Sequence, residues 1–130
     1  SAICVDDTRN HTLVVLSYNV WFNAVALVER MAAIGSIVSQ HDPDVICFQE
    51  VTPTILRLFA SAAWWGRYTS VTERGQHELT FGPECYFTLL LVRRTLKHQN
   101  TKELPFMNSK MLRSYLFTQV VTRSGLHVRV

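Results

Sequence analysis

Cysteine is scarce in this 130-residue chain. Cys4, Cys47 and Cys85 are odd in number, far apart and at no zinc-site spacing, which excludes an even-numbered disulfide framework and a thiolate metal centre. Cys47 lies in an apolar run and reads as a buried thiol acting as a small hydrophobe, so a reducing compartment fits best. Apolar runs of membrane-spanning length are also missing, and no membrane partner is expected. Ser1 to Asp7 has neither a basic n-region nor a long apolar h-region, so no signal peptide is expected, and the missing initiator Met suggests a piece of a longer chain. No internal repeat, low-complexity stretch or linker interrupts the sequence. Acid is nearly absent from the last third, where residues 93–130 hold eight Lys and Arg against Glu103 alone. That asymmetry suits a surface that meets polyanions, and equally suits edge strands protected by charge against aggregation.

What the chain does have is apolar residues, 48% of the total, enough for one modest core and too little length for two ordinary domains. After a polar lead-in (1–11), Thr12 to Val20 reads as a buried strand rich in β-branched and aromatic residues. Asn23 is placed to cap a helix whose apolar positions Leu27, Met31, Ile34 and Val38 follow helical spacing, with Pro43 ending it. Asp44 to Val51 is a second strand, too apolar at its centre to face water on either side. Thr52–Pro53 pairs a capping hydroxyl with proline at the first helical position, and Trp64–Trp65–Gly66 ends that helix. Strands are then expected over Arg67–Thr72, Cys85–Val92, Thr95–Leu104, Leu112–Thr122 and Leu126–Val130, with Arg74–Pro83 a polar loop. The order predicts an α/β fold, a helix-covered mixed sheet. The last strand is still running at Val130, so the chain is expected to stop inside the fold.

Two polar residues close otherwise buried strands: Asn19 ends LVVLSYN and Glu50 ends DVICFQE. In helix-covered sheets, ligands sit beyond the carboxyl ends of strands, and a carboxylate there needs a cation or hydrogen bonds to compensate it. Glu50 as a ligand to Mg²⁺, a hard cation that takes oxygen donors, and Asn19 as a polar clamp on a phosphate make one coherent site. Spacing alone is also met by Glu50 paired with an arginine and Asn19 capping a turn. Other signals are weaker. The five histidines show no metal-ligand spacing and suit surface or loop positions; Trp64, Trp65, Tyr86 and Phe106 suit either base stacking or the core. Pro105 to Arg113 concentrates hydroxyl, amide and basic donors before a strand, as a phosphate-facing loop or an ordinary turn would.

The segments LSYNVWF, RMAAIGSIVSQHDPDVICFQEVTP and PFMNSKMLR together resemble the endonuclease/exonuclease/phosphatase superfamily, and within it a subfamily of tyrosyl-DNA phosphodiesterases, its plant-like members in particular. The resemblance runs from about Leu13 to Val130. It implies the N-terminal half of a four-layer α/β sandwich over residues 12–130. It also implies Mg²⁺ (or Mn²⁺) as cofactor, with Glu50 as the metal-binding glutamate and Asn19 as the strand-end asparagine that orients the scissile phosphate. Tyr86 and Arg113 match positions near the bound DNA end. The implied substrate is DNA with a 5′-phosphotyrosyl end left by topoisomerase II, and the implied location is nuclear, with the cytoplasm as an additional site. Trp21 stands where some members carry an acid. The family's S-H-L-E-S, D-x-N and terminal S-D-H segments are absent, so this chain alone is expected to be inactive and poorly soluble. Other superfamily activities (apurinic endonuclease, deadenylase, inositol-phosphate phosphatase) share the metal chemistry, and a non-catalytic nucleic-acid-binding remnant is the reading from a different class.

Overall fold

The computed structural model describes residues 2–7, 11–71, 86–107 and 114–130. Strand β1 (Ala2–Asp7) is followed by β2 (His11–Asn19), helix α1 (Leu27–His41), β3 (Val45–Val51) and helix α2 (Pro53–Ala60). A 3₁₀ turn (Trp65–Arg67) leads into β4 (Tyr68–Ser70), β5 (Phe87–Arg93), β6 (Lys97–Pro105), β7 (Ser114–Val121) and β8 (His127–Arg129). The expected polar lead-in forms an element of its own: Ala2–Asp7 pairs antiparallel with β2, from Ala2 opposite Leu16 to Asp7 opposite His11. No helical or strand periodicity in AICVDD announces it, because what makes it a strand is the open edge of β2.

Two sheets result, one of five strands in the order β1-β2-β3-β5-β4 and one of three in the order β6-β7-β8. The larger is mixed. β2 and β3 run parallel through the α1 crossover, while β1, β5 and β4 are antiparallel to their neighbours.

Alternation along the central strands sets the layers. From β3, Ile46 and Phe48 join Leu89 and Leu91 of β5, Leu16 of β2 and the buried faces of both helices (Met31, Ile34 and Val38; Ile55 and Phe59). The residues between them, Val45, Leu90 and Val92, join Leu13 and Val120 on the other face, where the three-stranded sheet packs. β3 is therefore buried on both faces, as its uniformly apolar centre requires. The order of layers is helices, five-stranded sheet, three-stranded sheet. At the helix layer, Phe48, Phe59, Trp64 and Tyr68 form an aromatic cluster, with Phe48 and Phe59 stacked at 4.8 Å. Gly35 lets Trp64 approach α1: a Cβ there would lie 2.9 Å from the indole Nε1.

Local signals at the helix ends are partly borne out. Thr52 caps α2, its hydroxyl accepting from Ile55 N at 3.2 Å, with Pro53 in the first turn. α2 stops at Ala60, short of Trp64. Asn23 does not cap α1. The cap is Ala26, in the left-handed region and with no side-chain bond, while Asn23 Oδ1 accepts from Val25 N at 2.9 Å in a turn just before it. α1 does end before Pro43, with Asp42 left-handed rather than extended (φ 41°, ψ 54°). The loop expected at Arg74–Pro83 lies outside the described residues.

At the amino end of β3 an ionic cluster ties the sheet to the turns around it. Asp42 pairs with Arg67 at 2.6 Å and Arg93 at 3.0 Å; Arg93 also lies 3.2 Å from Asp44, and the Tyr68 hydroxyl donates to Pro43 O at 2.8 Å. The hydrogen bond from Arg93, helped by the charges of Arg93 and Arg67, holds the Asp42 carboxyl below the usual carboxylate range, although desolvation opposes it. Because the folded value is depressed, this stabilisation is present at neutral pH and declines as the pH falls through that value. Asp42→Asn should therefore cost under about 1 kcal/mol at pH 7, the carboxyl being half exposed. The gap between variant and wild type in a melting series should close towards pH 3. A gap independent of pH would remove the ion pair as its cause.

Candidate active site

The parallel pairing of β2 with β3 puts Asn19 opposite Gln49 and brings both strand ends to the same edge of the sheet. Val20 N then donates to Gln49 O at 3.0 Å, continuing the pairing one residue beyond β2. On its other side β3 leaves regular register: Phe48 faces Leu89 and Val51 faces Phe87, so Gln49 and Glu50 together oppose one residue of β5. This is a β-bulge, with Glu50 in the left-handed region at φ 61°. Such a conformation is disfavoured for glutamate by roughly 1–3 kcal/mol and is the kind of local strain that gathers at functional sites.

The Glu50 carboxylate is turned toward Asn19, whose Nδ2 donates to Glu50 Oε1 at 3.0 Å. Asn19 Oδ1 accepts from Trp21 N at 2.9 Å, which fixes which way the amide faces. Asn19 therefore caps a turn and holds the carboxylate at once. Among the described residues, Glu50 is partnered by this amide rather than by an arginine. Among the described residues, nothing else bonds to the second N–H of Asn19 or the second oxygen of Glu50, so both can meet a ligand. On the opposite face, Gln49 Nε2 donates to Ser17 Oγ at 3.2 Å, Cys47 O at 3.1 Å and Cys47 Sγ at 3.2 Å, steadying the bulge. Burial pushes the Cys47 thiol up in pKa, against the hydrogen bond from Gln49, so it is a packing group.

A divalent cation suits this donor set in kind. A carboxylate oxygen is a hard donor, and Mg²⁺ commonly takes one or two carboxylates, keeping waters and phosphate oxygens in its other positions. Among the described residues no group of three or more His, Cys, Asp or Glu is gathered to hold a metal. Among the described residues, Glu50 is the carboxylate hydrogen-bonded at these strand ends.

Tyr86 reaches the same edge. Phe87 is opposite Val51, so Tyr86 enters β5 beside the carboxyl end of β3, where its ring stacks on Phe22 at 5.3 Å with the planes 3° apart. Arg113 and most of Pro105–Arg113 lie outside the described residues. Of the other aromatic candidates, Trp64 is a core residue, 5% exposed and edge-on to Phe48, Phe59 and Tyr68, whereas Phe106 is exposed. Two of the basic residues are structural: Arg93 belongs to the ionic cluster at the far end of β3, and Arg94 donates to Gly66 O at 2.9 Å. Trp21, noted above only as standing in place of an acid, shapes the loop after Asn19 together with Phe22 and Arg30, for which the sequence suggested no role. The signal available was a pair of aromatics two and three residues after a strand-end polar residue.

Residues 16–128 match the endonuclease/exonuclease/phosphatase family, and the chain belongs to it. Among curated proteins it is similar to tyrosyl-DNA phosphodiesterase 2 of Rattus norvegicus and of Mus musculus, each 30% identical over 95 residues that make up 72% of this chain and 23% of the relative. Among solved structures it superimposes on Danio rerio TDP2 complexed with a single-strand DNA product, at TM-score 0.75 and 24% identity over 90% of this chain and 43% of that one. It likewise matches truncated Caenorhabditis elegans TDP2, at TM-score 0.72 and 25% identity over 88% of this chain and 43% of that one. The mixed α/β architecture expected from the sequence is the one these structures share, and the chain spans less than half the length of each of these four proteins.

Proposed function

We propose that this chain is the N-terminal part, over residues 12–130, of a divalent-metal-dependent phosphodiesterase whose whole protein hydrolyses the bond between a tyrosine and a DNA 5′ phosphate. The observation that carries this reading is the Asn19–Glu50 pair, hydrogen-bonded at 3.0 Å on adjacent parallel strand ends within the family-matched segment. Mg²⁺, or Mn²⁺ in its place, would be held by Glu50 and would supply charge neutralisation on the phosphoryl oxygens and a more acidic water.

The chain's own residues bind and orient. Asn19 holds the Glu50 carboxylate with one N–H and offers the other to a non-bridging phosphate oxygen. Tyr86, at the same sheet edge, contributes an aromatic face at the DNA end, and Arg113 neutralises the backbone charge. Transition-state charge stabilisation and the base for the attacking water are expected from segments beyond those present here, so the chain alone should be inactive. DNA repair in the nucleus is the setting that such a substrate implies.

The test is release of tyrosine from a 5′-phosphotyrosyl oligonucleotide by the whole protein, in Mg²⁺ and in EDTA, beside an abasic duplex, an oligoadenylate and an inositol phosphate. Mg²⁺-dependent release from the tyrosyl substrate in preference to the other three is the expected result. Preference for one of the others would replace the substrate and keep the metal chemistry; no turnover of any would overturn the reading.

A further inference from the structure

The loop after Asn19 exposes two large aromatics, Trp21 at 50% and Phe22 at 49%, directly beside the Asn19–Glu50 pair. Neither exposure follows from packing, and the loop is conformationally costly. Trp21 and Ala26 both sit in the left-handed region (φ 55° and 46°), where a non-glycine residue persists only if its surroundings hold it.

What holds it is Arg30, on the first turn of α1. Its Nη1 donates to Asn23 O and Val25 O, both at 2.7 Å; its Nη2 donates to Val20 O at 2.7 Å and also to Trp21 O. The guanidinium carbon lies 4.8 Å from the centre of the Trp21 ring. One planar group thus gathers four carbonyls of one loop and packs on its leading aromatic, a geometry that the single ammonium of a lysine does not reproduce. Arg30 is occupied in this way, which argues against its being a direct phosphate ligand. The consequence falls on Phe22, whose ring lies parallel on Tyr86, so that the loop and β5 present one continuous aromatic rim at the carboxyl ends of β2 and β3.

We infer that Arg30 is a positioning residue whose clip on residues 20–25 builds this rim, and that the rim favours substrates carrying an aromatic group on the 5′ phosphate. An aryl group seated at the Asn19–Glu50 pair gains a stacking surface that an unsubstituted phosphate cannot use. The preference deepens the phosphodiesterase reading; the clip does not depend on it.

The experiment measures binding and amide exchange in the whole protein, without turnover. In EDTA, the affinity for a 5′-phosphotyrosyl oligonucleotide is compared with that for the same oligonucleotide bearing a 5′ phosphate, in wild type, Arg30→Met and Arg30→Lys. Wild type should prefer the tyrosyl form by about tenfold, and both variants should lose most of that preference. A loss of folded protein alone would leave the affinity ratio unchanged. In parallel, exchange of the amides of residues 20–25 should quicken about tenfold or more in Arg30→Met while that of β3 stays as it was. Unchanged exchange overturns the clip, and a wild type without preference, or a variant that keeps it, overturns the rim. Tyrosyl preference in EDTA without Mg²⁺-dependent turnover would instead defeat the enzyme reading and leave this inference standing.

Discussion

Glu50→Ala in the whole protein should reduce Mg²⁺-dependent release of tyrosine from a 5′-phosphotyrosyl oligonucleotide by about a thousandfold while leaving the fold intact. The size follows from the chemistry. Phosphoryl transfer relies on charge placed around the phosphorus, and removing one well-aimed electrostatic group from such a site commonly costs 10²-fold or more, with about a further order of magnitude where that group also holds the metal. The expectation of an intact fold follows from position. The carboxylate stands at a strand end and bonds to one side-chain amide, so its removal leaves no buried charge behind. Glu50→Gln separates shape from charge: its carbonyl can still accept from Asn19, but it brings no negative charge to a cation. Losses of similar size in both variants would identify charge as the essential property, whereas activity retained in Glu50→Gln would limit Glu50 to orienting Asn19. Full activity in Glu50→Ala, with melting unchanged, would remove Glu50 from the site.

The largest stability effect is expected at Phe48→Ala. Phe48 is fully buried at the centre of β3, stacked on Phe59 at 4.8 Å and edge-on to Trp64 at 6.3 Å. It joins the sheet to the helix layer, so truncation removes contacts on both sides of an interface rather than at its margin. A buried phenylalanine replaced by alanine costs about 3–5 kcal/mol, a large share of the roughly 5–15 kcal/mol that holds a typical protein folded. Denaturant unfolding of the whole protein should show the midpoint falling at nearly constant slope. A loss under about 1 kcal/mol would mean that the aromatic cluster repacks freely around the gap. The effect on activity should be indirect and smaller, because Phe48 lies two residues before Glu50 on the same strand with its side chain in the helix-side core.

Much of this was legible in the residues. The uniformly apolar centre of DVICFQEV required a strand covered on both faces, and β3 is one. Thr52–Pro53 announced a helix start because capping is a local matter of one hydroxyl and one missing N–H. Asn19 and Glu50 are polar groups ending apolar strands, a conflict between residue type and environment that needs no neighbours to be seen. Only the tertiary structure decided that the two strands lie side by side, that a bulge at Gln49–Glu50 turns the carboxylate onto the Asn19 amide, and that Ala2–Asp7 completes an edge. The first two depend on pairing between segments about thirty to forty residues apart, and the third on an open edge of β2 that AICVDD itself does not signal; local propensity is blind to all of them. The roles of the basic residues were likewise undetermined by composition. Arg93 is locked into an ionic cluster at the far end of β3, and Arg30 is spent on four carbonyls, because what a charge does depends on which oxygens the fold places within its reach.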